Sequence, residues 1–404
     1  MRKAHESGHH PRNAAGYRDR CVVSDRLAAW VAVRDRGVGS QVWVERQLAR
    51  FRRVDVTVVT WQVHDGPIEP GVPMHVLDHP VDLDVGADRW VNRLRRLSGR
   101  NFYGTAHDER DELRTLLHRD RPHVALCHFG HTALRLLPVA DEIGVPVVAH
   151  FHGFDLSSSL QNRWYRWSLL GHIDRFAAVV VVGRRQQQWV EQHMPASRVH
   201  RIPCGVPITE FTRAEPPADG PVRFTTVSRL VPQKGVDVAV RALAAMQRRD
   251  TELVIVGDGA QLAELRELAD RLAIDDRVTF TGALPPDGVR RTLQDSHVFV
   301  QHSLDMPNGW FEGFGVSLTE AAAMELPAIV SRCGGLEDQV VDGVTGMLVD
   351  QHDVIGMAAA MDRLAVDPEL RRRMGTSGRR SAEQMFDTAD QVRQLEEVLV
   401  DVAA

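Results

Sequence analysis

Residues 212–221, TRAEPPADGP, carry three prolines and one glycine without periodicity, and on both sides of them short apolar runs alternate with helical spacings. Proline removes a backbone donor and fixes φ, so this stretch reads as a linker and not as part of a sheet or helix. Strand–helix alternation on each side predicts two doubly wound α/β domains. The length of 404 residues agrees, because one ordinary core rarely fills so long a chain. Sheets of this kind bind ligands beyond the carboxyl ends of their strands, so two of them face to face predict an interdomain cleft.

Before the linker, strands are expected at 27–34, 55–61, 74–78, 123–129, 146–152 and 176–182. The turn DRGVGS is followed by QVWVERQLARF, where Val42, Val44, Leu48 and Phe51 recur at helical spacing. Further helices are expected around 107–119, 132–143 and 160–172. After the linker, RFTTVS, ELVIVG, VTFTG, HVFVQ, PAIVS and GMLVD read as strands. VDVAVRALAAMQRR and the stripe Leu262, Leu265, Leu268, Leu272 read as helices. The polar, His- and Arg-rich residues 1–25 read as a disordered tail. The expected partition is then a first domain over 26–211, the linker at 212–221, a second domain over 222–385, and a C-terminal helix over 386–404 packing back on the first domain.

An apolar fraction of 43% and a charged fraction of 25% are those of a soluble globular protein. No apolar run approaches the roughly 20 residues that span a bilayer. The N-terminus lacks an apolar h-region, so neither a signal peptide nor an anchor is expected. Cys21, Cys127, Cys204 and Cys333 are far apart without CxxC spacing, which argues against a zinc ribbon or disulfide framework and for a reducing cytoplasm. The net charge of −5 is uneven: residues 1–211 hold 29 basic and 23 acidic residues, the remainder 20 and 31. A basic half suits peripheral contact with an anionic membrane face or a phosphorylated partner; a solvated arginine-rich surface is the plain alternative. Of the 49 basic residues only Lys3 and Lys234 are lysine, and Lys234 sits inside VSRLVPQKG.

The most informative stretch is NGWFEGFGVSLTEAAAMELPAIVS, residues 308–331. Its pattern places Glu312 in a loop, starts a helix near Val316 and puts Glu320 in the first helical turns. Gly313 and Gly315 allow close backbone approach or positive φ. The amides near Val316 and Ser317 then form an anion site at a helix N-terminus. Two carboxylates beside an anion repel it unless they address other parts of the ligand, and sugar hydroxyls are what carboxylates bind well. A loop before a helix with Glu320 on its polar face is the plainer reading of the same residues.

EGFGVSLTE (312–320) resembles the E-x7-E signature of the family 4 glycosyltransferases, which have the GT-B fold. VSRLVPQKG (227–235) is similar to that family's basic phosphate loop, and CGGLEDQVVDGVTGMLV (333–349) to the segment that follows its signature. CHFG (127–130), HFHGFD (150–155) and IPCGV (202–206) stand where the family has HAHFG, its catalytic-histidine loop and IPNGV. The match runs in order over roughly 27–385 and looks most like the exopolysaccharide, colanic-acid type branch. Departures are Cys204 in place of asparagine, Gly183 in place of serine, and a loosely matching GVGS loop.

The resemblance implies a GT-B fold of two Rossmann-like domains and a retaining, metal-independent hexosyltransferase that needs no cofactor beyond its UDP- or GDP-sugar co-substrate. By position, Arg229 and Lys234 hold the diphosphate, Glu320 the ribose hydroxyls and Glu312 the transferred sugar. Phe314, Gly315, Val316 and Ser317 touch the sugar or the phosphates. His152 lies beside the anomeric centre, Gly39 lines the first loop, and the base meets backbone around Thr281–Leu284. The expected acceptor is a glycan or lipid-linked oligosaccharide of polysaccharide biosynthesis, met in the cytoplasm or at the inner membrane face; no nucleic-acid partner is expected. A soluble natural product or small sugar is the alternative acceptor, and a non-catalytic GT-B binding module the alternative of another class. A pyridoxal-phosphate phosphorylase of the same fold needs a Schiff-base lysine, and Lys3 and Lys234 are poorly placed to supply one.

Of the two histidines in HFHGFD, His150 falls within the strand as a core residue and His152 stands at its carboxyl end. Asp155 is either functional or a loop cap. His128 and His131 lack a third ligand at metal-binding spacing, so no metal is expected there. GDG at 257–259 lacks the third glycine of a dinucleotide site.

Overall fold

The computed structural model describes residues 26–77, 107–213 and 220–404. Its first sheet contains β1 (Leu27–Arg36), β2 (Val54–Val63), β3 (Met74–Val76), β4 (Val124–His128), β5 (Val147–Phe151), β6 (Ala178–Val181) and β7 (Val199–Arg201), ordered β3-β2-β1-β4-β5-β6-β7. The second contains β8 (Val222–Val227), β9 (Thr251–Val256), β10 (Val278–Gly282), β11 (Val298–Gln301), β12 (Ala328–Ser331) and β13 (Gly346–Val349), ordered β10-β9-β8-β11-β12-β13. The strand pairs in both are parallel. In each sheet the order reverses beside its first strand, which opens a crevice between β1 and β4 and between β8 and β11. The fold is therefore GT-B, two Rossmann-like layers facing one cleft.

The sequence builds these strands because they are covered on both faces. VALCH, VVAHF and AVVV in β4, β5 and β6 are buried at every position, as parallel strands between helix layers must be. Alternate residues serve opposite faces: Ala125 and Cys127 pack with Leu134 and Leu137, whereas Val124 and Leu126 pack with Trp43 and Val44. On the leucine stripe, Leu265 and Leu268 are buried and Leu262 and Leu272 partly so. Helix Thr388–Ala403 puts Val392, Leu395, Val398 and Leu399 against Val31, Val124 and Val148 of the first sheet. Glu396 Oε1 in that helix accepts the backbone N–H groups of Arg52 at 2.7 Å and Val54 at 3.2 Å.

The two chain crossings between the layers lie side by side. Val206 N donates to Phe386 O at 2.8 Å and Thr388 N to Val206 O at 3.1 Å. The layers also touch directly. A Cβ on Gly313 would stand 2.6 Å from Gly153 Cα and 2.8 Å from His152 O, so Gly313 is glycine because another backbone occupies its side-chain space. Of the two readings of that glycine, close approach holds; Gly313 is not in the positive-φ region.

Some elements escaped the sequence reading: β7 and helices Arg184–Glu191, Pro286–Gln294, Val354–Val366 and Pro368–Met385. The expected helix after DRGVGS is shorter, Val42–Leu48, with a 3-10 turn at Gly39–Gln41 before it. The expected tail, Asp78 of the third strand and most of the linker, residues 214–219, lie outside the described residues. Among the described residues no helix is long and apolar enough to cross a membrane.

Candidate active site

The carboxyl ends of the two sheets enclose a cleft of about 910 Å³. His152, Arg229, Lys234, Glu312, Glu320, Phe314, Gly315, Val316, Ser317, Gly39 and Leu284 all line it. The sequence thus named residues that the fold brings to one place, from loops following β1, β5, β8, β10 and β11.

One wall is built around helix Val316–Ala323, which begins where its pattern predicted. Gln339 fixes its start: Oε1 accepts Gly315 N at 2.8 Å, while Nε2 donates to Gly315 O at 2.8 Å and Thr319 Oγ1 at 2.7 Å. Ser317 Oγ donates to Val227 O at 2.9 Å and ties the helix to β8. The first-turn amides of a helix have no intrahelical acceptor, so the wall presents donors and the positive dipole end at Val316 and Ser317.

Beside that helix end stand the two cations of the VSRLVPQKG loop. Arg229 is exposed at the cleft surface. Lys234 is largely enclosed; its Nζ bonds Glu312 Oε2 and lies 5.4 Å from the centre of the Trp310 ring. Gly235, which follows, has φ +52, and a Cβ there would stand 2.0 Å from His302 O, so the lysine loop closes only over glycine. Glu312 Oε2 also accepts from Gln301 Nε2 at 3.1 Å and Ser303 Oγ at 2.9 Å. Those three contacts leave Oε1 for a ligand.

Glu320 is buried, and burial raises its carboxyl above the usual carboxylate range, countered by Arg46. Arg46 belongs to helix Val42–Leu48 of the first domain, and its NH2 meets Glu320 Oε1 at 2.7 Å across the cleft. The Arg46 guanidinium stands 5.3 Å from the centre of the Phe211 ring. The sequence reading missed Arg46. Its helix was visible in the periodicity, but no local signal showed which polar residue would face the other domain.

The opposite wall carries His152. Its Nε2 lies 3.1 Å from His128 Nδ1, its Nδ1 lies 3.8 Å from Cys204 Sγ, and the Trp43 ring centre is 3.9 Å from its own. Burial first, and then His150 and His128, hold His152 well below the ordinary imidazole range, so it is a neutral ring at working pH. Asp155 is fully buried: Oδ1 accepts Gly130 N at 2.7 Å and Oδ2 accepts His152 N at 2.9 Å. Burial pushes its carboxyl up to about 6 against those amide bonds. Asp155 is therefore the clasp of the histidine loop, the capping role among the two expected for it.

A third histidine does stand beside His128, although it is not His131. His131 stacks on Tyr165, with ring centres 4.3 Å apart, and takes no part in a cluster. His128 instead meets His150 and His152, with one ligand nitrogen from each within 4.8 Å of the others. Sequence spacing hid this histidine because β4 and β5 are neighbours in the sheet, with His128 paired to His150.

Comparison with known proteins agrees with this geometry. Residues 41–210 match the family described as Glycosyltransferase Family 4, and residues 208–381 that described as Glycosyl transferases group 1. The chain belongs to the family 4 glycosyltransferases and is an enzyme of GT-B fold. A GDP-mannose-dependent alpha-(1-6)-phosphatidylinositol monomannoside mannosyltransferase of Mycolicibacterium smegmatis is 30% identical over 75% of this chain and 78% of its own. The putative colanic acid biosynthesis glycosyltransferase WcaL of Salmonella typhimurium is 27% identical over 68% of this chain and 70% of its own. The structure of Anabaena HepE in complex with UDP superposes with a TM-score of 0.76 at 18% identity, over 93% of this chain and all of that one.

The Arg46–Glu320 pair gives a direct test of how the domains are coupled. Arg46→Ala strands a buried carboxylate and is expected to cost roughly 3 kcal/mol in urea unfolding. Adding Glu320→Gln should restore part of that loss; strictly additive effects in the double variant would show that the pair is not coupled.

Proposed function

We propose that this enzyme transfers a hexosyl group from a UDP- or GDP-sugar to a hydroxyl of a glycan or lipid-linked acceptor, retaining the anomeric configuration and needing no metal or other cofactor. The observation that carries the reading is the convergence of Arg229, Lys234 and the first-turn amides of Val316 and Ser317 on one wall, facing His152. A departing nucleoside diphosphate gathers negative charge, and fixed cations and amides stabilise that charge without reorganising. Arg229 forks two phosphate oxygens; Lys234 adds a compact point charge.

Glu312, held through Oε2, offers Oε1 to hydroxyls of the transferred sugar. Glu320, held by Arg46 through Oε1, offers Oε2 to the ribose. Phe314 and Gly315 border the sugar, Leu284 the base, and Gly39 the first-domain side. His152, neutral and clasped by Asp155, presents its ring beside the anomeric carbon. A structure of this fold, HepE, was obtained with UDP bound, which supports nucleotide binding by this chain.

For the acceptor, a lipid-linked glycan reached from the cytoplasmic membrane face is favoured by one surface. Helix Arg163–Leu170 exposes Trp167 and Leu170 beside Arg163 and Arg166, and Phe154 is exposed at the cleft rim. From Ile143 to Ile173 the sole carboxylate is the buried Asp155, so this stretch of chain, which Asp141, Glu142 and Asp174 flank, is cationic and aromatic, a pairing that suits anionic lipid headgroups. The protein is expected to co-sediment with phosphatidylglycerol vesicles at low salt and to lose this in Trp167→Ala/Arg166→Glu. No binding, or binding that ignores the double substitution, would favour a soluble acceptor.

Lys234→Ala should lower turnover about 100- to 1,000-fold with the fold intact. Lys234→Arg keeps the charge but has to fit a longer fork between Trp310 and Glu312, and should lose most activity too. Both are read by release of the nucleoside diphosphate in EDTA, where wild-type activity should persist. A near-normal alanine variant would contradict the phosphate role, a fully active arginine variant the need for lysine there, and strict dependence on a divalent ion the metal-free mechanism.

A further inference from the structure

Beneath the cleft floor, β4, β5 and the loop after β5 bring three imidazoles together, and His150 also borders a small pocket lined by Gln47, Thr388 and Gln391. His128 and His150 are buried, at 0% and 2% exposure, and His152 alone of the three lines the cleft. Neither nitrogen of His150, nor His128 Nε2, is in a full hydrogen bond among the described residues, although the backbone at Ile202 weakly favours the charged form of His150. Buried polar atoms without partners are costly, and neutral imidazoles carry free lone pairs. The cluster needs at least one shared proton, water or cation.

We infer that His128, His150 and His152 form a binding site for a zinc-class divalent ion, and that an ion held there withdraws His152 from the reaction. Two imidazole nitrogens sharing a tetrahedral zinc lie roughly 3.3 Å apart, given bonds of about 2.0–2.1 Å. His128 Nδ1 and His152 Nε2 are already 3.1 Å apart, and the third ligand nitrogen lies within 4.8 Å of both. Closing the His150 nitrogen onto the other two completes a set of three, and His152, which lines the cleft, connects that set to it. Three neutral nitrogens select zinc, cobalt, nickel or copper over magnesium and calcium, which take oxygen ligands.

In the metal-free chain one proton bridges His128 and His152. Ligation moves that proton to the far nitrogen of its own ring, His128 Nε2 or His152 Nδ1, so no net proton is released. His152 Nδ1 faces Cys204 Sγ at 3.8 Å, which gives the ligating ring a weak outer partner. The asparagine that the family has at this position would offer a different partner. The site differs from a catalytic metal: it competes with the chemistry proposed above instead of supplying it.

The test uses the 404-residue chain with His5, His9 and His10 replaced by alanine, which removes a histidine-rich stretch of sequence that could bind metal by itself. After EDTA treatment, cobalt(II) should bind with one ion per chain and give the visible absorption of a tetrahedral site. Zinc should displace it and lower nucleotide-sugar turnover at least tenfold, reversed by EDTA. His150→Gln should weaken cobalt binding at least about tenfold, and His128→Gln should do the same by removing a ligand from the other strand. Absence of the tetrahedral spectrum in the chain that keeps all three histidines overturns the proposal. So does unchanged affinity in either variant that retains a cooperative thermal transition, or zinc binding that leaves turnover unaffected.

Discussion

Gly153 and Gly313 meet backbone to backbone where the carboxyl ends of the two sheets face each other, and this contact sets the width of the cleft. No side chain fits at Gly313, because Gly153 Cα and His152 O already fill the space. Gly183, where the family has serine, lies against the same point: a Cβ there would stand 3.0 Å from Gly313 O, a tight contact that a small shift relieves. Around this point Arg184 N donates to Asp338 Oδ2 at 2.6 Å and Arg185 pairs with Asp305 at 3.0 Å. The histidine loop and the helix-end anion site thereby become two walls of one compartment, and neither domain alone contains both.

Within that compartment charge is arranged in neutralised pairs. Lys234 is paired with Glu312 and Arg46 with Glu320, so each buried ion has a counter-ion before any ligand arrives. Burying such charges singly would cost several kcal/mol each. Arg229 differs, since it is exposed at the cleft surface and pays little desolvation to wait there. In the proposed reading, a diphosphate meets one exposed guanidinium and one enclosed ammonium beside the helix end. Of the two cations proposed to hold the diphosphate, the exposed one is arginine and the enclosed one is lysine.

Much of this was legible in the residues. Continuous apolar runs gave the parallel strands, and the break at TRAEPPADGP gave two layers, because burial on both faces leaves an unmistakable composition. Helix Val316–Ala323 announced itself through the glycines before it and the alanines within it. What stayed hidden were contacts between distant parts of the chain. Arg46 meets Glu320, Lys234 meets Glu312, and His128 meets His150, each through crossovers that sequence spacing does not encode. The helices at 354–366 and 368–385 carry ordinary helical residues but were not read, since no motif drew attention to them.

The central claim is that the wall formed by Arg229, Lys234 and the start of helix Val316–Ala323 binds a nucleoside diphosphate. Calorimetric titration of UDP and GDP into the wild-type chain and Arg229→Ala tests it most directly. At least one nucleotide should bind the wild type, and the variant should bind it at least about tenfold more weakly, the usual worth of a charge-assisted phosphate contact. Binding of neither nucleotide, or equal affinity in the two chains, would contradict the account.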